Sequence, residues 1–239
     1  RCRRVRLARI GTALLIVLAL VGPASQVRAQ ATRVGQGYTA LQQGDFATAS
    51  RLFADEVRAH EQALGELHPA SLGPRGLLIR SLSAQGRLNE ALVQAEVVLR
   101  IRTQMHGERH VETLSAMGRT AQLLGGLYRL RDELVLNEKF HRLSLELLGE
   151  RHPVAQQAMA GLAASRRMMG RASESVPLAE RVYSLRREQH GERHPLTLAS
   201  MNTLAQNLGA AGRNAEQIDM AESLLKLQRE QHGERHPET

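Results

Sequence analysis

One short phrase, Gly-Glu-Arg-His-Pro or a close variant of it, recurs five times along the chain at a constant spacing. Its last histidine falls every 42 residues, at His68, His110, His152, His194 and His236. A fixed period of this length is typical of solenoids, in which one supersecondary unit stacks on copies of itself. The spacing therefore predicts units of about residues 31–68, 69–110, 111–152, 153–194 and 195–236.

Each unit contains two helical patterns separated by a short turn. In the unit 69–110, the patterns predict a first helix over about residues 74–85 and a second over about residues 88–105. The second helix has apolar residues at spacings of three and four, which form one stripe: Leu88, Ala91, Leu92, Ala95, Val98 and Leu99. Period and pattern together predict an all-α fold.

Glycine marks the turn inside four of the five units, and another glycine precedes each repeated histidine. We expect this second glycine to form a left-handed cap, and the His-Pro pair to open the next helix. The third unit has Tyr128 in place of the turn glycine, with Asn137 and His141 at stripe positions. We therefore expect the second helix of that unit to be shifted or loosely packed.

Residues 1–29 form a segment of different composition. They contain six arginines and no acid, with an apolar run of twelve residues at 10–21 and small residues before position 30. This arrangement predicts a bacterial-type signal peptide cleaved after Ala29, because a membrane-spanning helix needs roughly 20 apolar residues. We expect residues 30–239 to be exported to the periplasm or the cell exterior and to meet the membrane only during export. An uncleaved membrane anchor is the alternative.

The net charge of +8 arises mostly from this leader. Six of the 32 basic side chains lie there, so the rest of the chain has 26 basic and 24 acidic side chains. The chain also has only three Phe, three Tyr and no Trp. Without a basic surface or rings for base stacking, a nucleic-acid partner is not expected.

No motif points to catalysis, a cofactor or a metal. The only cysteine, Cys2, lies in the leader, and the chain has neither a Gly-rich phosphate loop nor a Gly-x-Ser-x-Gly turn. Histidines four residues apart, as at His106 and His110, suggest metal ligands, but glycine interrupts each pair and no third ligand recurs. Because these features are copied in successive units, we expect the histidines to cap and pack helices, and we expect no enzymatic activity.

The phrase Gly-Glu-Arg-His-Pro-x-Thr-Leu, the Gly-Arg-x-x-Glu turns at Gly86 and Gly212, and the period of 42 resemble kinesin-light-chain-type tetratricopeptide repeats. The resemblance covers about residues 31–239. It implies about five helix-turn-helix hairpins in a right-handed superhelix, lengthened from the standard unit of ~34 residues. It also implies a scaffold that binds a protein or peptide on its concave face. The alternative is a regulatory or sensory arm of a larger enzyme, such as a caspase-like peptidase or signalling domain beyond Thr239.

The same resemblance places partner contacts on the first helices, at ten, six and three residues before each turn. Polar side chains at these positions are the candidate peptide-binding residues: Tyr38, Arg80, Gln122, Arg167, Asn202 and Gln206. Amide and guanidinium groups can bind a peptide backbone or its carboxylates. Many of the remaining positions hold Gly or Ala, and only the fifth unit keeps one member of the family's Asn-Asn pair, Asn202. A solvated face without a partner therefore stays open as an explanation.

The last hairpin ends with apolar residues for which no further helix follows: Ile218, Met220, Leu224, Leu225 and Leu227. Terminal repeats need a polar outer face to stay soluble. We therefore expect the repeats to continue beyond Thr239, and residues 30–239 alone to self-associate or fray at their C-terminal end.

Overall fold

The computed structural model describes residues 24–232, and their side chains from residue 33 to residue 230. Within this range the chain is an all-α solenoid of hairpins, with ten α-helices, no strand, and a 3-10 turn at Pro69–Ser71. The helices are α1 (Ala24–Gln42), α2 (Phe46–Leu64), α3 (Leu72–Ala84), α4 (Leu88–His106), α5 (Val111–Gly126), α6 (Leu130–Leu148), α7 (Pro153–Met168), α8 (Ala172–His190), α9 (Pro195–Ala210) and α10 (Asn214–His232).

The chain forms two compact units, one ending at Arg87 and the other beginning at Leu88. In the first unit α2 packs against both α1 and α3, and Phe53, Val57 and Leu78 are buried there. In the second unit each helix from α4 to α10 packs against the next one along the chain. The apolar stripes of the helices form these cores, as the sequence pattern predicts.

The repeated histidine is the N-cap of the first helices α5, α7 and α9, and of the 3-10 turn that precedes α3. The Nδ1 atoms of His110, His152 and His194 accept hydrogen bonds from backbone N–H groups two residues on, at 3.3, 3.1 and 3.2 Å. His68 does the same for Ala70 at 3.2 Å, at the start of the 3-10 turn. Since the first N–H groups of a helix have no partner within the helix, the imidazole supplies one. The expected capping role is therefore observed at four of the five histidines, while the side chain of His236 lies outside the described range.

In three of the phrases, the glycine is the C-cap of a second helix, with a conformation different from the expected one. Gly65, Gly149 and Gly191 have φ of 92, 70 and 84° and ψ of 157, 162 and 168°. A left-handed helical cap would need ψ near +45°, whereas the observed region is open almost only to glycine. The extended ψ turns the chain away from the helix, so that the histidine three residues later can start the next one.

The turn inside each hairpin has the same backbone conformation in all five repeats, including the third, which has Tyr128 in place of glycine. Tyr128 has a φ of 57°, and Gly86 and Gly170 have φ of 71 and 75°. In each case the next residue, such as Arg129, donates its backbone N–H to a carbonyl five residues earlier, at 3.0 Å for Leu124. These bonds form a Schellman motif, which requires a positive φ at the position of Tyr128.

The expectation of a shifted or loosely packed α6 is wrong. The helix begins two residues after Tyr128, as α8 begins two residues after Gly170. Asn137 is buried on the stripe and donates a hydrogen bond to Ser165 Oγ at 2.7 Å, while His141 is half-buried. Asn137 fits at its stripe position because Ser165 of the neighbouring helix α7 provides a polar partner.

The arginine of the phrase pairs with the second helix of the next hairpin. The guanidinium groups of Arg109, Arg151 and Arg193 lie 2.9, 2.9 and 2.7 Å from Glu146, Glu188 and Glu230. Each pair spans 37 residues, so the same contact repeats along the second unit. The side chains are exposed, and such pairs contribute about 0–1 kcal/mol each.

Part of the apolar surface of α10 is covered by the first helix of the same hairpin. Met220, Leu224 and Leu227 pack against Leu198 and Met201 of α9, whereas Ile218 is 55% exposed. Fraying and self-association at this end stay predictions.

Most of the predicted signal peptide lies outside the described residues, including the apolar run at 10–21 and Cys2. The expected cleavage position after Ala29 falls within α1. Between residues 24 and 232 we find no helix with the length and apolar character needed to cross a bilayer. Export stays a prediction from the sequence.

We predict that His152→Ala lowers the free energy of unfolding by about 1 kcal/mol, because Val154 N–H loses its cap, whereas His152→Asn stays near wild type. Urea denaturation of both variants measures the difference. Equal losses in the two variants would show that the imidazole ring, rather than its acceptor atom, stabilises the joint.

We predict that Tyr128→Gly raises the free energy of unfolding by about 0.5–1 kcal/mol. Glycine adopts a positive φ such as the 57° of this position without the steric cost that tyrosine has there. Little packing is lost because Tyr128 is 77% exposed. Thermal and urea denaturation test this. Gly170→Ala, at the equivalent turn, is the opposite control and should destabilise the chain; a destabilised Tyr128→Gly variant would contradict the explanation.

Candidate interaction face

The first helices of the second unit form a layer of their own. Besides its hairpin partner, α7 contacts both α5 and α9, so successive first helices touch one another. The second helices α6 and α8 pack against the first helices on either side of them. Each of α5, α7 and α9 therefore packs against second helices on one side, and its opposite side is available for other contacts.

Exposed residues on α5 and α9 recur at spacings of three and four, which places them on one side of each helix. The same repeat positions on α7 are exposed or half-buried. We call this surface the first-helix face and define it by Ser115, Arg119, Gln122, Gln157, Ala164, Ala199 and Gln206.

The candidate residues six positions before the turn lie on the exposed side of their helices. Gln122 and Gln206 are exposed in the second unit, two repeats apart and at equivalent positions, with half-buried Ala164 between them. In the first unit Tyr38 and Arg80 occupy this position and are also exposed. Tyr38 additionally contacts Phe53 edge-to-face, with ring centroids 6.0 Å apart.

In the third repeat, the other two candidate positions face the second helix α6 rather than solvent. A Cβ atom on Gly118, the equivalent of Asn202, would lie 2.7 Å from the Phe140 ring. A Cβ atom on Gly125, the equivalent of Arg167, would lie 2.9 Å from the Glu133 carboxyl carbon. Asn202 is exposed and Arg167 is half-buried, so the exposure of these two positions differs from one repeat to another.

Arg119 also belongs to the first-helix face, although the counting rule missed it. It is exposed, and in the part of the chain with described side chains it has no ion pair. The acid on the same helix, Glu112, is paired with Arg102 of α4. The spacing of three residues between Arg119 and Gln122 could have revealed it, since such residues are neighbours on a helix.

A buried polar network lies behind this face, between α6 and α7. Ser165 donates a hydrogen bond to Glu133 at 2.9 Å and accepts one from Asn137 at 2.7 Å. Burial raises the pKa of Glu133, and the hydrogen bond from Ser165 offsets part of this effect. Gly125 and Gly161 leave the space that these side chains fill. The network holds the two hairpins together. Because its side chains are buried, a ligand cannot reach it.

The structure brings His106, His110 and Glu112 together at the joint before α5, with one potential ligand atom of each within 4.8 Å of the others. The two rings stack with centroids 4.4 Å apart, although the sequence argued against such proximity because of the glycine between them. His110 Nδ1 already accepts the N–H of Glu112, and Arg102 binds the Glu112 carboxylate. Capping and ion pairing account for the cluster.

Comparison with known proteins agrees with this architecture. Residues 80–112 and residues 155–230 match the tetratricopeptide-repeat family, and no curated protein sequence matches the chain. A solved structure of kinesin light chain TPR-like repeats from Podosopora anserina, which are nearly identical to one another, has 23% sequence identity to this chain. The match covers 90% of this chain and 100% of that chain, with a TM-score of 0.71. BtubC (BKLC) from P. vanneervenii is 17% identical, with 84% and 80% covered and a TM-score of 0.68. The MamA protein is 12% identical, with 87% and 97% covered and a TM-score of 0.58.

We predict that Glu133→Gln stabilises the chain at pH 7 and that this gain vanishes below pH 4.5, the ordinary pKa of the carboxyl. Because the pKa of Glu133 is raised in the folded state, the carboxyl contributes its full stability below pH 4.5 and loses it as the pH rises through the folded pKa. Urea denaturation at both pH values measures this, with exposed Glu138→Gln as control. A gain that does not depend on pH would contradict it.

Proposed function

Because the chain is a tetratricopeptide-repeat protein of the kinesin-light-chain type, and such repeats are typically non-catalytic scaffolds for protein interactions, we propose that its first-helix face binds an extended segment of a partner protein. The observation that carries the proposal is the recurrence of Gln122 and Gln206 at equivalent exposed positions of stacked first helices.

The chemistry of this face suits an extended peptide. Each glutamine amide both donates and accepts hydrogen bonds, so it can pair with a peptide N–H or C=O without reading the side chain. Arg119 adds a cation for a partner carboxylate. Ala164 and Ala199 are small and leave room for the peptide between the polar groups.

The buried contacts behind the face support the same use. The first helices touch one another and are supported by α6 and α8, so the positions of the amides are set by the packed core. A face that is ordered before binding loses less conformational entropy when a partner docks. A role as the regulatory arm of a larger enzyme would use the same face, and it stays a prediction from the resemblance.

We predict that the double variant Gln122→Ala, Gln206→Ala binds partner peptides at least about tenfold more weakly than wild type, since each lost hydrogen bond contributes about 1 kcal/mol. Peptides selected from a random displayed library against the full chain serve as ligands, and calorimetry gives the Kd. Helix content should be unchanged, because alanine favours helices.

The matched control is Asn89→Ala, Gln104→Ala, which removes two exposed amides from the second helix α4 and should leave the Kd within about twofold of wild type, near measurement error. If both double variants bind the selected peptides as wild type does, the first-helix face is not the binding surface. If no peptide can be selected at all, peptide binding itself is in doubt.

A further inference from the structure

Two joints between hairpins carry the same pair of basic residues. Arg102 and His106 lie at the end of α4, before α5, and Arg186 and His190 lie at the end of α8, before α9. The two pairs are two repeats apart and occupy equivalent positions. Their surroundings are also alike, because His190 stacks on His194 at 4.5 Å as His106 stacks on His110 at 4.4 Å.

The first joint shows what this pair binds. Arg102 Nη1 contacts Oε2 of Glu112, the second residue of α5, and His106 Nε2 lies 3.3 Å from the same oxygen. The carboxylate also lies at a helix N-terminus, where a negative charge is favourable. Guanidinium, imidazole and helix end therefore converge on one carboxylate.

The second joint has the same basic groups without the carboxylate. Leu196 replaces the glutamate, and Arg186 Nη1 instead donates a hydrogen bond to the Leu196 carbonyl at 3.2 Å. The Nε atom of Arg186 is buried without a hydrogen-bond partner, and burial lowers the pKa of this guanidinium. The Leu196 side chain is 46% exposed, so the joint is open to solvent on the side where the carboxylate would lie.

No neighbouring acid with a described side chain occupies the position at the second joint that corresponds to the Glu112 carboxylate at the first. Glu188 is bound to Arg151 at 2.9 Å, and Glu230 to Arg193 at 2.7 Å. Among the residues with described side chains, no carboxylate comes within ion-pair distance of Arg186 or His190. The positive charge of Arg186 is thus half-buried and without an acidic partner in this part of the chain.

We propose that the joint between α8 and α9 binds a carboxylate of another protein, an Asp or Glu side chain, which Arg186 and His190 hold as Arg102 and His106 hold Glu112. The exposed Leu196 contributes an apolar contact beside it. This site rests on the comparison of the two joints, and it does not depend on binding at the first-helix face.

Titration of the full chain with sodium acetate tests the site, at constant ionic strength maintained with chloride. We expect the NMR signals of the His190 ring and of the Arg186 Nε–H group to shift with saturation. The His106 signals should stay unchanged, because Glu112 already occupies that joint. No saturable shift at His190, or equal shifts at both histidines, would overturn the proposal.

Three variants sharpen the test. Leu196→Glu supplies an internal carboxylate and should abolish the acetate response of His190, while Glu112→Leu should create that response at His106. Arg186→Gln should weaken acetate binding at least about tenfold, through loss of a charge-assisted hydrogen bond. An undiminished His190 response in Leu196→Glu or Arg186→Gln would contradict the assignment.

A titration with inorganic phosphate separates the two oxyanions: tighter binding of phosphate than of acetate would overturn the choice of a carboxylate.

Discussion

The architecture depends on one hydrogen bond, from a backbone N–H at the start of a first helix to the Nδ1 atom of the repeated histidine. It occurs at His110, His152 and His194, where glycine has just ended the preceding helix with a conformation that other residues avoid. Together the two residues turn the chain sharply and begin a new helix within a few positions. Every hairpin of the second unit is therefore entered in the same geometry, and the apolar stripes can meet.

The sequence was sufficient to predict where this joint lies and that the histidine caps the next helix, because these residues are copied in each repeat. It did not predict the extended ψ of the glycine. It was misleading at Tyr128, where a Schellman turn forms without glycine since the hydrogen bonds of the turn and the packing of α6 outweigh the local cost. It also could not show that Asn137 finds Ser165 on the next helix. This contact between neighbouring repeats joins residues 28 positions apart, which a single helical pattern does not reveal.

The candidate sites show the same limit. A family rule counted three surface positions on each first helix, yet Gly118 and Gly125 prove to face Phe140 and Glu133. Only the packed structure distinguishes a small residue on an open face from one that makes room for a larger side chain. The comparison of joints likewise needed coordinates, because the difference between Glu112 and Leu196 becomes meaningful only when Arg102 and Arg186 are seen to reach toward them.

Changes in repeat number by recombination would meet an obstacle at one boundary. Removing residues 153–194 would preserve the phrase, its histidine cap and its period, and would bring α9 against α6. Thr203 and Asn207 would then take the places of Gly161 and Ser165. The threonine would occupy space that the Asn137 amide now fills, since a Cβ atom on Gly161 would already lie 2.9 Å from its oxygen. Loss of the fourth repeat alone would therefore disturb the packing of α6, although the phrase, the cap and the period would all be preserved.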